Sequence, residues 1–242
     1  MAAPTFVDAG TVGTTGTSAA NAPISFSGTN PGDIVGETTN DYAFVFLYKE
    51  STAAVTAPGG WDALGTADQD TGGFKYRVHV YGRRIDGTEV NPTWSWTGST
   101  WRYAECVVYQ NAITTEAPAV VVTFDEETAQ NTTPTHPGIT ITRSNSGLVY
   151  VIFNFSDIDN TTPPTGFTHR SSTGATGRNV LMYDDLSTTT GASGTVTQTL
   201  SGDIEYPLTV LIELATEAAA GGGTKAKPPM RRPWRIWNRR VG

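Results

Sequence analysis

The stretch Asp41-Tyr-Ala-Phe-Val-Phe-Leu-Tyr48 decides the fold. Aromatic and branched residues fill it, and Asn40-Asp41 and Lys49-Glu50 bound it. At this length it reads as a strand that is apolar on both faces. Tyr42, Phe44, Phe46 and Tyr48 point one way, and Ala43, Val45 and Leu47 the other. Such a strand belongs in the middle of a sheet. Gly147-Leu-Val-Tyr-Val-Ile-Phe-Asn-Phe155 has the same character. Tyr42 aligns with Leu148, Phe44 with Tyr150 and Leu47 with Phe153. The same offset sets Pro58-Gly-Gly-Trp61 on Pro164-Thr-Gly-Phe167. After each comes a polar loop, a strand, a turn and another strand. Trp101 to Tyr109 falls one residue out of step with Tyr206 to Leu214. The pattern reads as a degenerate duplication, with pseudo-repeats over about 41–112 and 147–215.

Composition agrees with an all-β chain. Only 16% of the 242 residues are charged, and long helical periods are missing. Asp86-Gly87 and Asn30-Pro-Gly-Asp33 mark turns between short strands. We expect an antiparallel β-sandwich, jelly-roll-like, over 23–218, in which the two halves share one core. Residues 1–22 form an arm or edge strand before it, and Pro23 to Ser27 a short strand. In Phe74 to Tyr81, the residues Phe74, Tyr76, Val78 and Val80 face inward. Lys75, Arg77, His79 and Tyr81 face water. Trp61 reads as a core plug. Cys106 is the one cysteine, so no intramolecular disulfide forms, and it reads as a small apolar strand residue. The start Met-Ala-Ala-Pro carries no secretory pattern, so synthesis in a host cytoplasm is expected. No apolar run approaches the ~20 residues of a membrane span.

Little in the chain looks catalytic. His79, His136 and His169 lack metal-ligand spacing, and His136 sits before Pro137 in a loop. Asp157-Ile-Asp159-Asn160 is a fragment of a calcium loop without its glycine and terminal glutamate. Asp68 with Asp70, Asp125 with Glu126, and Asp184 with Asp185 are carboxylate pairs, but glycosidases need two across a cleft. Asn131-Thr-Thr133 and Asn160-Thr-Thr162 match the glycosylation sequon by chance in a threonine-rich chain. We expect no enzyme, no metal and no cofactor. Trp94, Trp96 and Trp101 are candidates for a sugar platform, against the plainer reading of Trp94 and Trp96 as core.

Charge is unevenly placed. Seven of the 16 basic residues lie after Gly223, where no acid lies. The body keeps nine against 23 acids, or −14. A Gly-rich linker opens the 219–242 segment, and Arg231, Arg232, Trp234, Arg235, Ile236, Trp237, Arg239 and Arg240 follow. A merely solubilising tail does not carry such apolar groups. Arg supplies planar donors for carboxylates and Trp supplies anchoring area, so we read a docking segment for a partner protein. Nucleic acid and a membrane surface rank lower, because the acidic body repels both.

A strand apolar on both faces, then Pro-x-Gly-aromatic (Pro58 to Trp61, Pro164 to Phe167), then a strand like Tyr76 to Arg83, then a Trp-rich hairpin resembles a known pattern. It is that of the small β-sandwich minor tail proteins of tailed bacteriophages, those of actinobacterial phages above all. The resemblance covers roughly residues 20–215 and excludes the basic tail. It implies a non-enzymatic virion protein with a structural or adsorption role, present in several copies and packed on other tail proteins at the tail or tail tip. A carbohydrate-binding adsorption module and a capsid decoration protein are the alternatives.

Overall fold

The computed structural model describes residues 3–11, 19–26, 34–71, 73–87, 91–114, 118–155, 162–175, 178–202 and 204–216. These contain no helix, and their ladders are antiparallel. The first half runs β1 (Thr5–Thr11), β2 (Ala19–Pro23), β3 (Tyr42–Lys49), β4 (Val55–Thr56), β5 (Asp62–Thr71), β6 (Phe74–Arg84), β7 (Thr93–Thr100) and β8 (Arg102–Gln110). The second runs β9 (Ala119–Glu126), β10 (Thr135–His136), β11 (Thr140–Ile141), β12 (Gly147–Asn154), β13 (Thr168–Ala175), β14 (Arg178–Asp185), β15 (Gly191–Ala192), β16 (Val196–Thr197) and β17 (Leu208–Leu214).

The two apolar strands hold the same place. β3 is the middle of a sheet ordered β1-β8-β3-β6-β5, and β12 is the middle of one ordered β9-β17-β12-β14-β13. The connectivity of the two sheets is identical. Their irregularities repeat as well. The β1–β8 ladder slips between Phe6 and Asp8, and the β9–β17 ladder slips at Glu213/Leu214. The β5–β6 ladder slips between Ala63 and Gly65, and the β13–β14 ladder between His169 and Ser171. Asn40 and Asn145 both take left-handed backbone, φ 81° and 61°, just before the central strands. Asparagine tolerates that conformation better than most residues.

The matched bulges correct the sequence alignment by one residue. Ala63 pairs with Tyr81 and His169 with Tyr183, and these in turn face Val45 and Tyr150. Val45 therefore matches Tyr150, and Phe44 matches Val149. The turns Pro58 to Trp61 and Pro164 to Phe167 match as aligned, so the second half holds one more residue between central strand and turn. In a strand such a slip exchanges the faces. Phe44 accordingly lies in the core between the halves, and Tyr150 in an outer one.

The sandwich has four layers and three cores. Phe44, Phe46 and Tyr76 of one large sheet meet Val151, Phe153 and Met182 of the other. On the outer face of the first, Ala43, Val45 and Leu47 pack against Ile24, Trp61 and Trp94, under the small sheet β2-β7-β4. On the outer face of the second, Tyr150 and Ile152 pack against Ile141, Val196 and Leu200, from the β11–β15 and β10–β16 pairs and the strand end that follows. Both faces of β3 and β12 are covered for this reason. Full burial of each such side chain contributes about 1.5–3 kcal/mol.

The halves meet as a pseudo-dimer. β5 lies against β9, and β1 against β13. Exchanging the halves converts one contact into the other, as a two-fold axis would. The side chains at the two contacts differ. At the first, a Cβ on Gly65 would stand 2.6 Å from the Phe124 ring. There Gln69 Nε2 donates to the Glu127 and Tyr206 carbonyls at 2.9 and 3.3 Å. At the second, the Arg170 guanidinium lies 4.5 Å from the Phe6 ring centroid.

Three local expectations are corrected. His79 and Tyr81 do not face water: both are buried, because the outer core extends over that part of β6. The strand expected at Pro23 to Ser27 lies earlier, as β2, and the Ile24 amide instead donates to the Pro92 carbonyl at 2.9 Å. The polar stretches after Trp61 and Phe167, expected as loops, are the edge strands β5 and β13. Their polarity suits an edge, where charge and bulges discourage pairing with another chain.

Candidate functional site

The structure removes two residues from the sugar-platform reading. Trp94 is fully buried and Trp96 nearly so, both on the inner face of β7. Alternation along β7 puts the residues between them in water, so the indoles go into the outer core. Trp94 stands edge-on to Trp61 with centroids 5.0 Å apart, and Tyr81 closes on it at 5.6 Å. Trp96 receives the Lys49 ammonium 5.9 Å from its centroid. Trp101 is half-buried between β7 and β8.

The carboxylate pairs serve the fold. Asp68 takes a bidentate contact from Arg77, which holds its carboxyl below the usual range. Asp70 pairs with Lys75 at 2.8 Å. Asp184 is buried and receives Arg170 Nε at 2.8 Å, while burial pushes its carboxyl up. Its neighbour Asp185 accepts both the amide and the hydroxyl of Ser187 at 3.1 Å. Asp125 with Glu126, and Asp184 with Asp185, are adjacent on a strand and point to opposite faces, while Asp68 and Asp70, two apart on β5, share a face but are each held by a cation of their own.

The histidines and the buried lysine are also engaged. His79 Nδ1 meets the Thr66 hydroxyl at 3.0 Å, and burial lowers its pKa to about 4. His136 is buried in β10, a correction to its expected loop position. Its Nδ1 accepts the Gly138 amide at 3.1 Å and its Nε2 meets the Thr123 hydroxyl at 3.2 Å, with burial lowering its pKa. Lys49 is enclosed, donates to the Ser51 and Ala53 carbonyls, and has its pKa lowered to about 8, mainly by burial. Burial pushes the Cys106 thiol well up, away from reactivity. No group of three His, Cys, Asp or Glu among the described residues could hold a metal. No helix among them is long and apolar enough to cross a membrane.

What stays open on the surface is a set of depressions. One, at the end where the central strands begin, is lined by Thr38, Thr39, Asn40, Gln110 and Asn111. Another, of about 280 Å³, has a floor of Leu148, Pro164, Phe167 and Val196. Asp185, Thr165, Ser193, Thr195 and Thr197 form its rim. It lies on the outer face of the second half, where the pseudo-symmetry gives it meaning. Phe167 matches Trp61, and Tyr183 matches Tyr81. Val196 pairs with His136 of β10 as Trp94 pairs with Ala22 of β2. The alternation of buried and exposed residues over 195–198 repeats that over 93–96. Val196 therefore stands where the first half has Trp94, and Gln198 where it has Trp96. Reasoning from sequence missed this depression, because it marks side-chain volume that the second half lacks.

The proposed docking residues Arg231, Arg232, Trp234, Arg235, Ile236, Trp237, Arg239 and Arg240 lie outside the described residues, as do Asn30 to Asp33 and Asp157 to Asn160. No family model, no curated protein and no solved structure matches the chain.

Proposed function

We propose that the chain is a non-enzymatic structural protein of a bacteriophage virion, a minor tail or tail-tip component that packs on neighbouring tail proteins. The observation that carries this reading is the repeated unit itself. Each half has a central strand apolar on both faces, a Pro-x-Gly-aromatic turn with left-handed Gly60 or Gly166, and a bulged edge strand. The strand and the turn belong to the pattern that resembles the minor tail proteins, and both stand twice in equivalent places. The uses that the polar groups have in packing agree with it. Asp68, Asp70, Asp184, His79 and Lys49 are each engaged with a neighbour, which suits a scaffold better than a reaction centre. The body's charge of −14 and the tail's seven basic residues favour assembly between copies or with an acidic partner. A glycan-binding adsorption module is the second reading. Partly exposed Trp101 and the hydroxyl-rimmed depression beside Phe167 favour it.

Mass spectrometry of purified, sub-fractionated virions tests the assignment. The protein is expected in the tail fraction at more than one copy per particle. Its absence from virions would sink the reading, and its presence on heads alone would move it to capsid decoration.

A further inference from the structure

We propose that the depression floored by Phe167, Leu148 and Val196 is the docking site for the chain's own basic segment, residues 231–240, and that it takes an indole of Trp234 or Trp237. The template is internal. In the first half the equivalent space is filled by Trp94, fully enclosed between Trp61 and Tyr81 at 5.0 and 5.6 Å. The second half keeps the surrounding rings, Phe167 for Trp61 and Tyr183 for Tyr81, with Tyr150 6.1 Å from Phe167. In place of the indole it has Val196, and an opening of about 280 Å³. That is near the lower end of the ~300–1,000 Å³ of ligand pockets, so it has room for one ring system rather than an extended ligand.

Charge and reach agree. Asp185 stands on the rim, and Ser187 uses only its Oδ1. Its Oδ2 is turned toward the Pro164 to Phe167 turn, where a Cβ on Gly166 would meet it at 3.8 Å. A guanidinium beside an inserted indole, as Arg235 is beside Trp234, would find a planar acceptor there. The described chain ends on the same side of the sheet. Leu214 pairs with Gly147, and Leu148 pairs with Asp185. Leu214 thus lies about two strand spacings, roughly 10 Å, from Asp185 on the rim, and the described chain continues two residues further to Thr216. Seventeen residues separate Thr216 from Trp234. Fully extended, a chain of that length spans roughly 60 Å, enough to reach the pocket of its own body or of an adjacent copy.

The proposal rests on the tail being a docking segment, not on the particle to which the protein belongs. A photo-crosslinking phenylalanine analogue at rim position Thr165 of the full chain tests it. Irradiation followed by peptide mapping is expected to join position 165 to the 231–240 segment. Val196→Trp, which installs the first half's own residue, should reduce that crosslink at least ten-fold. It should leave thermal unfolding unchanged or raised, which shows that the variant folds. Trp234→Ala with Trp237→Ala should reduce the crosslink equally without touching the pocket. No crosslink to the tail, or one that Val196→Trp leaves unchanged, overturns the proposal. So does protection of position 165 by cell-wall oligosaccharide in a chain lacking both tail indoles, which would make the pocket a sugar site. The presence or absence of the protein in virions is a separate result.

Discussion

Trp61 and Trp94 meet edge to face, with ring centroids 5.0 Å apart, although they enter the outer core from different sheets. Trp61 arrives on the turn before β5, and Trp94 on β7 of the small sheet above it. Edge-to-face geometry sets the positive rim of one ring against the negative face of the other. Trp61→Ala removes one partner and leaves a cavity, at a cost of about 3–5 kcal/mol by urea denaturation. Phe167→Ala at the matching place should cost less, because Phe167 is only partly enclosed, and Val196 stands where Trp94 packs on Trp61. A loss below about 1 kcal/mol for Trp61→Ala would show that the indole is not part of the core.

Arg170 links the halves at the β1 and β13 edge. It bonds the buried Asp184 and lies over Phe6. Arg170→Ala leaves a buried carboxylate without its cation, at a cost on the order of 3 kcal/mol at neutral pH. The sign with pH is defined. Burial raises the Asp184 pKa despite Arg170, and removing Arg170 raises it further. A carboxyl whose folded pKa exceeds its unfolded value loses stability as pH rises through that window, and recovers it as pH falls. The penalty of Arg170→Ala should therefore shrink toward acid pH. Urea midpoints of wild type and variant at pH 7 and pH 4 check this. A penalty that does not change with pH would mean that Asp184 is not the group left behind.

His79 makes the opposite contribution. Burial, with the charges of Lys49 and Arg77, lowers its pKa from 6.5 to about 4. Between these values the unfolded chain binds the proton and the folded chain does not, so stability falls as pH drops through the window. The full effect is on the order of 3 kcal/mol. His79→Gln should lie nearer to wild type at pH 4 than at pH 7. Stability curves that run parallel from pH 7 to pH 4 would contradict a buried, neutral His79.

Much of this fold was legible in the chain. Tyr42 to Tyr48 and Leu148 to Phe153 named both central strands, because a run apolar on both faces has few other places to go. The register between them was not legible. Side-chain character alone could not locate the extra residue before Pro164, and one residue reverses the faces of every position upstream. Alternation also gave the faces of β6 correctly but not what covered them, so His79 and Tyr81 were set in water. The two-residue strands β10, β11, β15 and β16 are too short to carry a period. The depression beside Phe167 emerges only when Val196 is compared with Trp94 in three dimensions.

The basic tail yields the last prediction. Deleting residues 224–242 removes seven basic residues and takes the net charge from −7 to −14. The three cores draw on residues up to Leu214, and Ala215 and Thr216 are held by backbone or side-chain bonds to Ile113, Pro118 and Asn145. None of these groups lies in the deleted segment, so the truncated chain should still fold cooperatively, with a urea midpoint lowered by no more than a docked tail contributes. Its assembly should differ. An acidic body repels its own copies, and the deleted segment supplies both the opposite charge and the apolar anchors Trp234, Ile236 and Trp237. Incorporation into particles should therefore fall at least ten-fold, measured by quantitative mass spectrometry of virions from a phage carrying the deletion. Replacing only Trp234 and Trp237 by alanine keeps the charge and separates the two contributions. If anchoring dominates, this variant should assemble nearly as poorly as the deletion. If charge dominates, it should assemble normally at low salt and fail as salt rises. A truncated protein present in particles at normal occupancy would remove the docking role altogether.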